Sequence, residues 1–102
     1  MNKILLCCAA GMSTSMVVQR MEKAAKDQGI ELEIKAIGIE EFQQEIDKYD
    51  CCLLGPQIKY KLADFKPIAD SLNKPISVIN SMDYGMLNGA KILNDTLKLI
   101  QA

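Results

Sequence analysis

The stretch Lys3-Ile4-Leu5-Leu6-Cys7-Cys8-Ala9-Ala10-Gly11-Met12-Ser13-Thr14-Ser15 joins the first predicted strand to the first predicted helix through small residues. Residues 4–7 form an apolar run without polar alternation, which is typical of a strand covered on both faces of a parallel sheet. Cys8 follows this run, at the mouth of the loop. Because a helix N-terminus favours anions and thiolates, this position brings a nucleophile to an anion site.

The residues after this loop predict a helix that begins near Thr14 and is stopped by Gly29. A second strand is predicted over residues 31–37, where apolar residues such as Ile34 and Ala36 alternate with charged ones. One-sided alternation of this kind favours an edge strand. The inner face of the helix is expected to carry Met16, Val17, Met21, Ala24 and Ala25.

Two more strands are predicted, and each leads into a turn or loop. Residues 50–54 predict a second buried strand that ends at Gly55-Pro56-Gln57, and residues 76–79 predict the fourth strand. Residues 80–85 are predicted as a loop. The inner stripe of the closing helix is expected at Ile92, Leu93, Thr96, Leu97 and Ile100.

Helical segments are predicted before and after the third strand. Residues 39–48 predict a short, solvated helix with two apolar residues at helical spacing. Pro67 in a helix interior would cost a hydrogen bond, so we expect Asp64 to cap the next helix, with Pro67 in its first turn. Residues 57–63 then form a loop or a separate helical turn.

The regular alternation of strand and helix predicts a single α/β domain over residues 1–102, with a four-stranded parallel sheet and helices on both faces. Right-handed crossovers and the edge-like second strand favour the strand order 2-1-3-4. The loop after the first strand then lies at the topological switch point, where open parallel sheets bind ligands. We therefore expect Cys8, residues 55–61 and residues 80–85 at one rim of the sheet.

The composition is that of an ordinary soluble globular protein, with 49% apolar and 25% charged residues. The formal net charge of -1 gives no basic footprint for nucleic acid or an acidic membrane surface. The N-terminus lacks a signal-peptide pattern, and no apolar stretch approaches the roughly 20 residues of a transmembrane helix. We expect a cytoplasmic protein that does not insert into the membrane, and its small size favours a monomer.

The four cysteines form two adjacent pairs, Cys7-Cys8 and Cys51-Cys52, without the Cys-x-x-Cys spacing of zinc or redox sites. Adjacent strand residues point to opposite faces, which opposes a four-thiolate metal site, so no metal is expected. Cys7, Cys51 and Cys52 lie inside apolar runs and are expected to be buried, inert thiols. Cys8 differs because its loop position, its small neighbours and the helix start coincide.

The residues after Cys8 suit a phosphate-binding loop. Small residues and the conformational freedom of Gly11 allow backbone N–H groups to surround three phosphate oxygens, and the hydroxyl side chains add donors. No carboxylate occurs between Cys8 and Glu22, so nothing repels an anion from the helix N-terminus. The same field is expected to lower the pKa of Cys8. The predicted loop comprises Ala9, Ala10, Gly11, Met12, Ser13, Thr14 and Ser15.

Two residue types limit the chemistry. The chain has no histidine, which excludes a phosphohistidine carrier, a Cys-His pair and a Ser-His-Asp triad within one subunit. Its single arginine, Arg20, lies twelve residues beyond Cys8, so the loop is expected to hold phosphate mainly through backbone donors. A thiolate at such a loop is suited to accept a phosphoryl group.

Residues 8–15, with Leu54-Gly55-Pro56-Gln57 and Tyr84-Gly85, resemble the enzyme IIB subunit of the bacterial sugar phosphotransferase system. The resemblance is to the lactose and cellobiose family, which includes chitobiose and lichenan systems, and it covers essentially the whole chain. It implies a four-stranded parallel sheet and a cysteine, here Cys8, that accepts a phosphoryl group from a phosphohistidine of the IIA subunit. The group would then pass to sugar held by the IIC membrane subunit, and no cofactor is implied.

The loop is also similar to that of low-molecular-weight protein tyrosine phosphatases, which carry Cys, five residues, Arg and then Ser or Thr. Thr14 occupies the position of that arginine here, and Ser15 follows. An arginine there would stabilise the transition state for hydrolysis. Its absence favours a carrier with in-line transfer through a persistent phosphocysteine. The alternatives are a phosphatase or arsenate-reductase-like enzyme and a flavodoxin-like binding module without a covalent step.

Side chains of the two neighbouring loops are expected around the rim. Each is equally well explained as a solvated loop residue. Met12, expected at the loop apex, would offer an adaptable apolar contact to two successive partners. The resemblance does not identify the sugar, because specificity in the family lies largely with the membrane subunit. The candidate contacts to phosphate or a partner are Gln57, Lys59, Tyr60, Lys61, Asp83 and Tyr84.

Overall fold

The computed structural model describes residues 2–8 and 11–101, with the backbone alone for residues 11–14. Its strands pair in parallel and form one sheet in the order β2-β1-β3-β4, which confirms the predicted order. Helices lie on both faces of this sheet, so the predicted fold class is also confirmed. The strands are β1 (Asn2–Cys7), β2 (Leu32–Ile37), β3 (Cys51–Leu54) and β4 (Ile76–Val78).

The helices of the described residues alternate with these strands. Short 3-10 turns flank the second helix at Ile39–Glu41 and Ile46–Lys48, so the helix predicted over 39–48 consists of three successive turns. A further 3-10 helix, Pro56–Lys61, precedes the third helix and corresponds to the predicted separate helical turn. The α-helices are α1 (Gly11–Asp27), α2 (Phe42–Glu45), α3 (Leu62–Ser71), α4 (Ser81–Gly85) and α5 (Gly89–Gln101).

The sheet is buried on both faces at β1. Ile4 packs with side chains of α1 and α5 on one face, and Leu5 packs with side chains of α2 and α3 on the other. On that second face the rings of Phe42 and Phe65 stack with their centroids 4.0 Å apart. Because successive strand residues alternate between two covered faces, β1 requires the unbroken apolar run seen in its sequence.

The first helix begins at Gly11, three residues before its predicted start near Thr14. Glycine is unfavourable chiefly in a helix interior, and Gly11 occupies the first position of the helix. Each residue added to the helix also gains a backbone hydrogen bond. Met16 is 46% exposed, so its predicted place on the inner face is wrong, whereas Val17 is fully buried. Gly29 has a φ of 71°, which confirms it as the residue that ends the helix.

β2 is an edge strand, as predicted, but its buried side chains do not all lie on one face of the sheet. Ile34 is buried on the face of α1 and α5, and Ile37 is buried on the opposite face. Ala36 is exposed, so its predicted inward position is wrong. The last residue of β2 instead turns its side chain into the core beside Cys7, its partner in the register.

The third helix contains Pro67 in its interior, so the predicted N-cap at Asp64 is wrong. The helix begins at Leu62, directly after the preceding 3-10 helix. Pro67 has no N–H to bond the Ala63 carbonyl, but both residues are exposed, and water can bind that carbonyl instead. Water thus reduces the free-energy cost of placing Pro67 in the helix interior.

Residues 81–85 form the short helix α4, so the predicted loop over residues 80–85 is wrong. Asn80 caps this helix, because its side-chain oxygen accepts hydrogen bonds from the N–H groups of Met82 (2.9 Å) and Asp83 (3.1 Å). The cap fixes the geometry of the segment that follows β4, at the carboxyl rim of the sheet.

Candidate functional site

Cys8 is the first residue after β1, the strand between β2 and β3. Its N–H donates to the Ile37 carbonyl (3.1 Å), and the Gly55 N–H donates to the Cys7 carbonyl (2.9 Å). These bonds hold the end of β1 between the ends of its neighbours. The Cys8 side chain is 4% exposed, so its sulfur lies just beneath the carboxyl rim of the sheet.

The predicted phosphate loop divides into three parts. Ala9 and Ala10 lie outside the described residues. Residues 11–14 form the start of α1 with their backbone alone described, so the predicted position of the Met12 side chain also lies outside what is described. Ser15 is exposed on the second turn of the helix.

The start of α1 places a helix N-terminus three residues after Cys8 in the chain. The first N–H groups of a helix have no partner within the helix, and the helix dipole adds to their attraction for anions. The first turn contains no acidic residue. Because α1 begins at Gly11, only two residues separate it from Cys8, fewer than the sequence predicted. The arrangement suits an anion bound close to the thiol.

Two polar side chains approach the Cys8 sulfur from other elements. The Tyr84 hydroxyl oxygen lies 3.7 Å from Cys8 Sγ, and Gln57 Oε1 lies 3.9 Å from it. Gly55 permits this close approach, since a Cβ at its position would lie 3.3 Å from Cys8 Sγ and 2.8 Å from Gln57 Oε1. The fold therefore brings Cys8, Gln57 and Tyr84 together, as the predicted shared rim required.

The other predicted rim residues are exposed or engaged in ion pairs. Lys59 and Tyr60 are exposed on the 3-10 helix that also carries Gln57. Asp83 pairs with Lys91 of α5, with 3.6 Å between the carboxylate oxygen and Nζ. This pairing offsets the negative charge that Asp83 would otherwise present to an anion at the rim.

Sequence reasoning missed the depth of Tyr84 and the cap that holds it. Tyr84 is only 6% exposed, so it lies under the rim rather than on it. The signal available in the sequence was Asn80 before Ser81-Met82-Asp83, since asparagine is a preferred N-cap. A five-residue helix is too short for an apolar period to mark its inner side.

The other three thiols are enclosed in the core. Burial raises the pKa of Cys7 and of Cys51 to about 12, and it raises the pKa of Cys52 as well. Neighbouring thiols add to the effect at Cys7 and Cys52. Because a raised pKa favours the neutral thiol, these groups stay protonated at neutral pH and are poor nucleophiles.

Brief treatment of the folded protein with iodoacetamide is expected to modify Cys8 and to leave the other three cysteines intact. The raised pKa of Cys51 keeps its thiol protonated at pH 8, and the core excludes the reagent. Peptide mass mapping after a quench measures the extent of reaction at each residue. A sample unfolded in urea is the control, in which all four should react. Equal rates at Cys8 and Cys51 in the folded protein would contradict this description.

A recess of about 530 Å³ lies between β4 and α5, and Cys8 is not among its described lining residues. No three metal-ligating side chains cluster within the part of the chain whose side chains are described. In the described residues, no helix combines the length and the apolar character needed to cross a membrane. The candidate site is the group of side chains that approach Cys8 Sγ.

Comparison with known sequences places the chain among sugar-transport components. The family described as "PTS system, Lactose/Cellobiose specific IIB subunit" matches residues 3–95. An oligo-beta-mannoside-specific EIIB component of the PTS from Bacillus subtilis is 39% identical over 98% of this chain and 97% of its own length. A cellobiose-specific EIIB component from Lactococcus lactis is 40% identical over 88% of each chain.

Two solved structures share the fold. The lactose-specific IIB component domain of the phosphoenolpyruvate:carbohydrate phosphotransferase system from Streptococcus pneumoniae superposes with a TM-score of 0.87 at 20% identity, covering 96% of each chain. The solution structure of a cellobiose-specific phosphotransferase IIB component from Borrelia burgdorferi gives a TM-score of 0.82 at 40% identity. The alignment covers 98% of this chain and 92% of that protein.

Proposed function

The chain belongs to the lactose/cellobiose-specific IIB family of the sugar phosphotransferase system, and we propose that it is a phosphocarrier whose Cys8 holds the phosphoryl group. The observation that carries this proposal is the place of Cys8 at the end of the central strand β1, two residues before α1. A thiolate there adjoins the anion-binding N–H groups of the helix. The other cysteines lie within strands and have no exposed surface, whereas Cys8 lies at the end of its strand and is 4% exposed.

In the first step, the Cys8 thiolate attacks the phosphorus of a phosphohistidine on the IIA partner. The S–P bond forms as the P–N bond breaks, and the electron pair of the broken bond returns to the imidazole, which takes up a proton. The histidine must come from the partner because this chain has none. The N–H groups at the start of α1 bind the equatorial phosphoryl oxygens during transfer.

In the second step, a hydroxyl of the sugar held by the IIC membrane partner attacks the same phosphorus. The S–P bond breaks, the sulfur leaves as a thiolate, and a base in the permease or water takes the hydroxyl proton. Cys8 is thereby regenerated. The family description and the names of the cellobiose- and oligo-beta-mannoside-specific relatives support a sugar of the cellobiose or lactose type or a related oligosaccharide.

The phosphocysteine is expected to persist until the sugar arrives. Thr14 stands where the similar phosphatase loop has its arginine. The chain's one arginine, Arg20, lies nine residues after the first residue of α1, roughly 13 Å along the helix axis. Arg20 therefore does not occupy the position of the phosphatase arginine, and the stabilisation that an arginine at that position gives to hydrolysis is lost.

Exposed apolar side chains around α4 are suited to contact the two partners. Met82 and Met86 are 70% and 68% exposed, and they flank the buried Tyr84 in the chain. Tyr60 is 65% exposed on the 3-10 helix that carries Gln57. Because methionine side chains adapt to different surfaces, one patch can contact IIA and then IIC in turn. Successive, transient contacts suit a cytoplasmic monomer that meets the membrane only through IIC.

The carrier assignment is tested by incubating the protein with a phosphorylated IIA subunit of this family and weighing the intact protein by mass spectrometry. We expect the mass to increase by one phosphoryl group, which peptide mapping locates on Cys8. The adduct should survive in buffer and decay when IIC and its sugar are supplied. No gain of mass, or a group mapped to another residue, would refute the proposal. Steady hydrolysis of an aryl phosphate that is lost in Cys8→Ala would support a phosphatase instead.

A further inference from the structure

Tyr84 is held in place below the rim by its own helix. The Asn80 side chain caps α4, and the Tyr84 N–H donates to the Asn80 carbonyl (2.9 Å). The neighbouring Asp83 is tied to Lys91 of α5. These contacts attach the Tyr84 backbone both to the end of β4 and to α5, so the hydroxyl has a defined position 3.7 Å from Cys8 Sγ.

The Cys8 sulfur thus lies between a phenol hydroxyl and a side-chain amide. Both distances are within the range of hydrogen bonds to sulfur, which are longer than those to oxygen. A phenol hydroxyl can accept a hydrogen bond from a thiol or, after rotation of its O–H bond, donate one to a thiolate. The Gln57 amide can likewise bond either form of Cys8. Its oxygen accepts a hydrogen bond from the thiol, and rotation of the amide presents an N–H donor to the thiolate.

The ionisable groups near Cys8 come from several elements. On β1, the adjacent Cys7 thiol is neutral, because burial and the neighbouring Cys8 raise its pKa. The negative charges of Glu40 and Glu41, which follow β2, also raise the pKa of Cys7. From α4, Tyr84 faces the sulfur directly, while the Asp83 charge is paired with Lys91. Gln57, after β3, is uncharged.

We propose that the Tyr84 hydroxyl is a catalytic hydrogen-bond donor to Cys8 Sγ, which stabilises the thiolate before it attacks phosphorus and again when it leaves. A hydrogen bond to the charged form of a group favours that form, and bonds to ions are stronger than bonds between neutral groups. The phenol acts only as a hydrogen-bond donor in this role, so its O–H bond stays intact while the charge remains on the sulfur. The catalytic role of Tyr84 rests on the proposed carrier function of Cys8, whereas the hydrogen bond between the two residues does not depend on that function.

The pH dependence of Cys8 alkylation tests the hydrogen bond without any phosphoryl donor. In Tyr84→Phe the midpoint of the rate profile with iodoacetamide is expected to rise by about one pH unit, and the rate below the midpoint to fall about tenfold. Tyr49→Phe is the matched control, since it removes a hydroxyl from another buried tyrosine, 7% exposed, before the first residue of β3. An unchanged midpoint in Tyr84→Phe, or an equal shift in Tyr49→Phe, would overturn the proposal.

Incorporation of 3-fluorotyrosine at position 84 covers the case in which loss of the hydroxyl disturbs folding. This residue keeps the hydroxyl and is a stronger acid than tyrosine, so it is a stronger donor. The midpoint for Cys8 alkylation should therefore move down in pH, opposite to the shift in Tyr84→Phe. A shift in the same direction for both variants would count against a hydrogen bond from Tyr84.

Phosphoryl uptake from a phosphorylated IIA subunit gives a separate readout. If Tyr84 acts on the thiolate, uptake by Tyr84→Phe should recover toward the wild-type rate at a pH above both alkylation midpoints. An equal deficit at every pH would show a merely structural role and would overturn the catalytic assignment. If the wild-type protein accepts no phosphoryl group, the carrier function fails, and the alkylation shift still decides the hydrogen bond.

Discussion

Replacement of Cys8 by serine is expected to reduce phosphoryl uptake by on the order of a thousandfold or more. The serine hydroxyl is a far weaker acid than a thiol, so it needs a base to remove its proton as it attacks phosphorus. The chain has no histidine to serve as that base. The Tyr84 hydroxyl and the Gln57 amide approach the sulfur to 3.7 Å and 3.9 Å, but a phenol and an amide are hydrogen-bonding groups and do not replace the imidazole that activates a serine hydroxyl. The initial rate of uptake from a phosphorylated IIA subunit, followed by intact mass, measures the loss.

Cys51→Ala is the matched control for this variant. It removes a buried thiol from the neighbouring strand β3 and leaves Cys8 in place, so uptake should continue at the wild-type rate. Circular dichroism of Cys8→Ser verifies that the loss does not come from unfolding. Equal phosphoryl uptake by Cys8→Ser and the wild-type protein would show that Cys8 is not the acceptor, and the carrier assignment would fail with it.

The strand order could be predicted from the sequence because it follows from general rules of chain connection. The apolar runs of β1 and β3 suit central strands, and the charged residues of β2 suit an edge. Right-handed crossovers then favour one order. The parallel pairing of β1 with both β2 and β3 confirms this reasoning.

Helix boundaries were less predictable because they depend on small differences in free energy. Starting α1 at Gly11 or near Thr14, and admitting Pro67 into α3, change only a few backbone hydrogen bonds. At exposed positions water replaces the lost bonds. A longer helix also gains packing against the sheet, and this gain decides the boundary. It cannot be predicted from local helix preferences alone.

Cys8 could be proposed as a candidate from the sequence, whereas its contact with Tyr84 could not be predicted. The strand, loop and helix around Cys8 are contiguous in the chain, so their pattern is visible in one short stretch. Tyr84 is 76 residues away, and its hydroxyl reaches the sulfur only because β4 ends at the same rim as β1. Topology predicted that shared rim, but the inward direction of the tyrosine depends on the cap at Asn80 and on the packing of α4.

Gly89→Ala is expected to lower the free energy of unfolding by about 1–3 kcal/mol, which corresponds to a melting temperature roughly 10 °C lower. Gly89 is buried at the start of α5, where this helix meets α1. A Cβ at Gly89 would lie 2.4 Å from the carbonyl carbon of Arg20 and 2.5 Å from the carbonyl oxygen. Both atoms belong to the backbone of α1, so no side-chain rotation relieves the overlap and the two helices must move apart.

Gly85→Ala is the matched control, since a Cβ there meets no atom within 4 Å. Alanine is favoured over glycine in helices by about 0.5–1 kcal/mol, so this variant should be as stable as the wild-type protein or slightly more stable. Thermal and urea unfolding followed by circular dichroism compare the three proteins. A Gly89→Ala protein of wild-type stability would show that α1 and α5 do not approach as described. Gly89→Ala can also be less stable while its folded fraction accepts phosphoryl groups at the wild-type rate. That result would show that the contact between Gly89 and Arg20 stabilises the fold but does not affect the N-terminus of α1 beside Cys8.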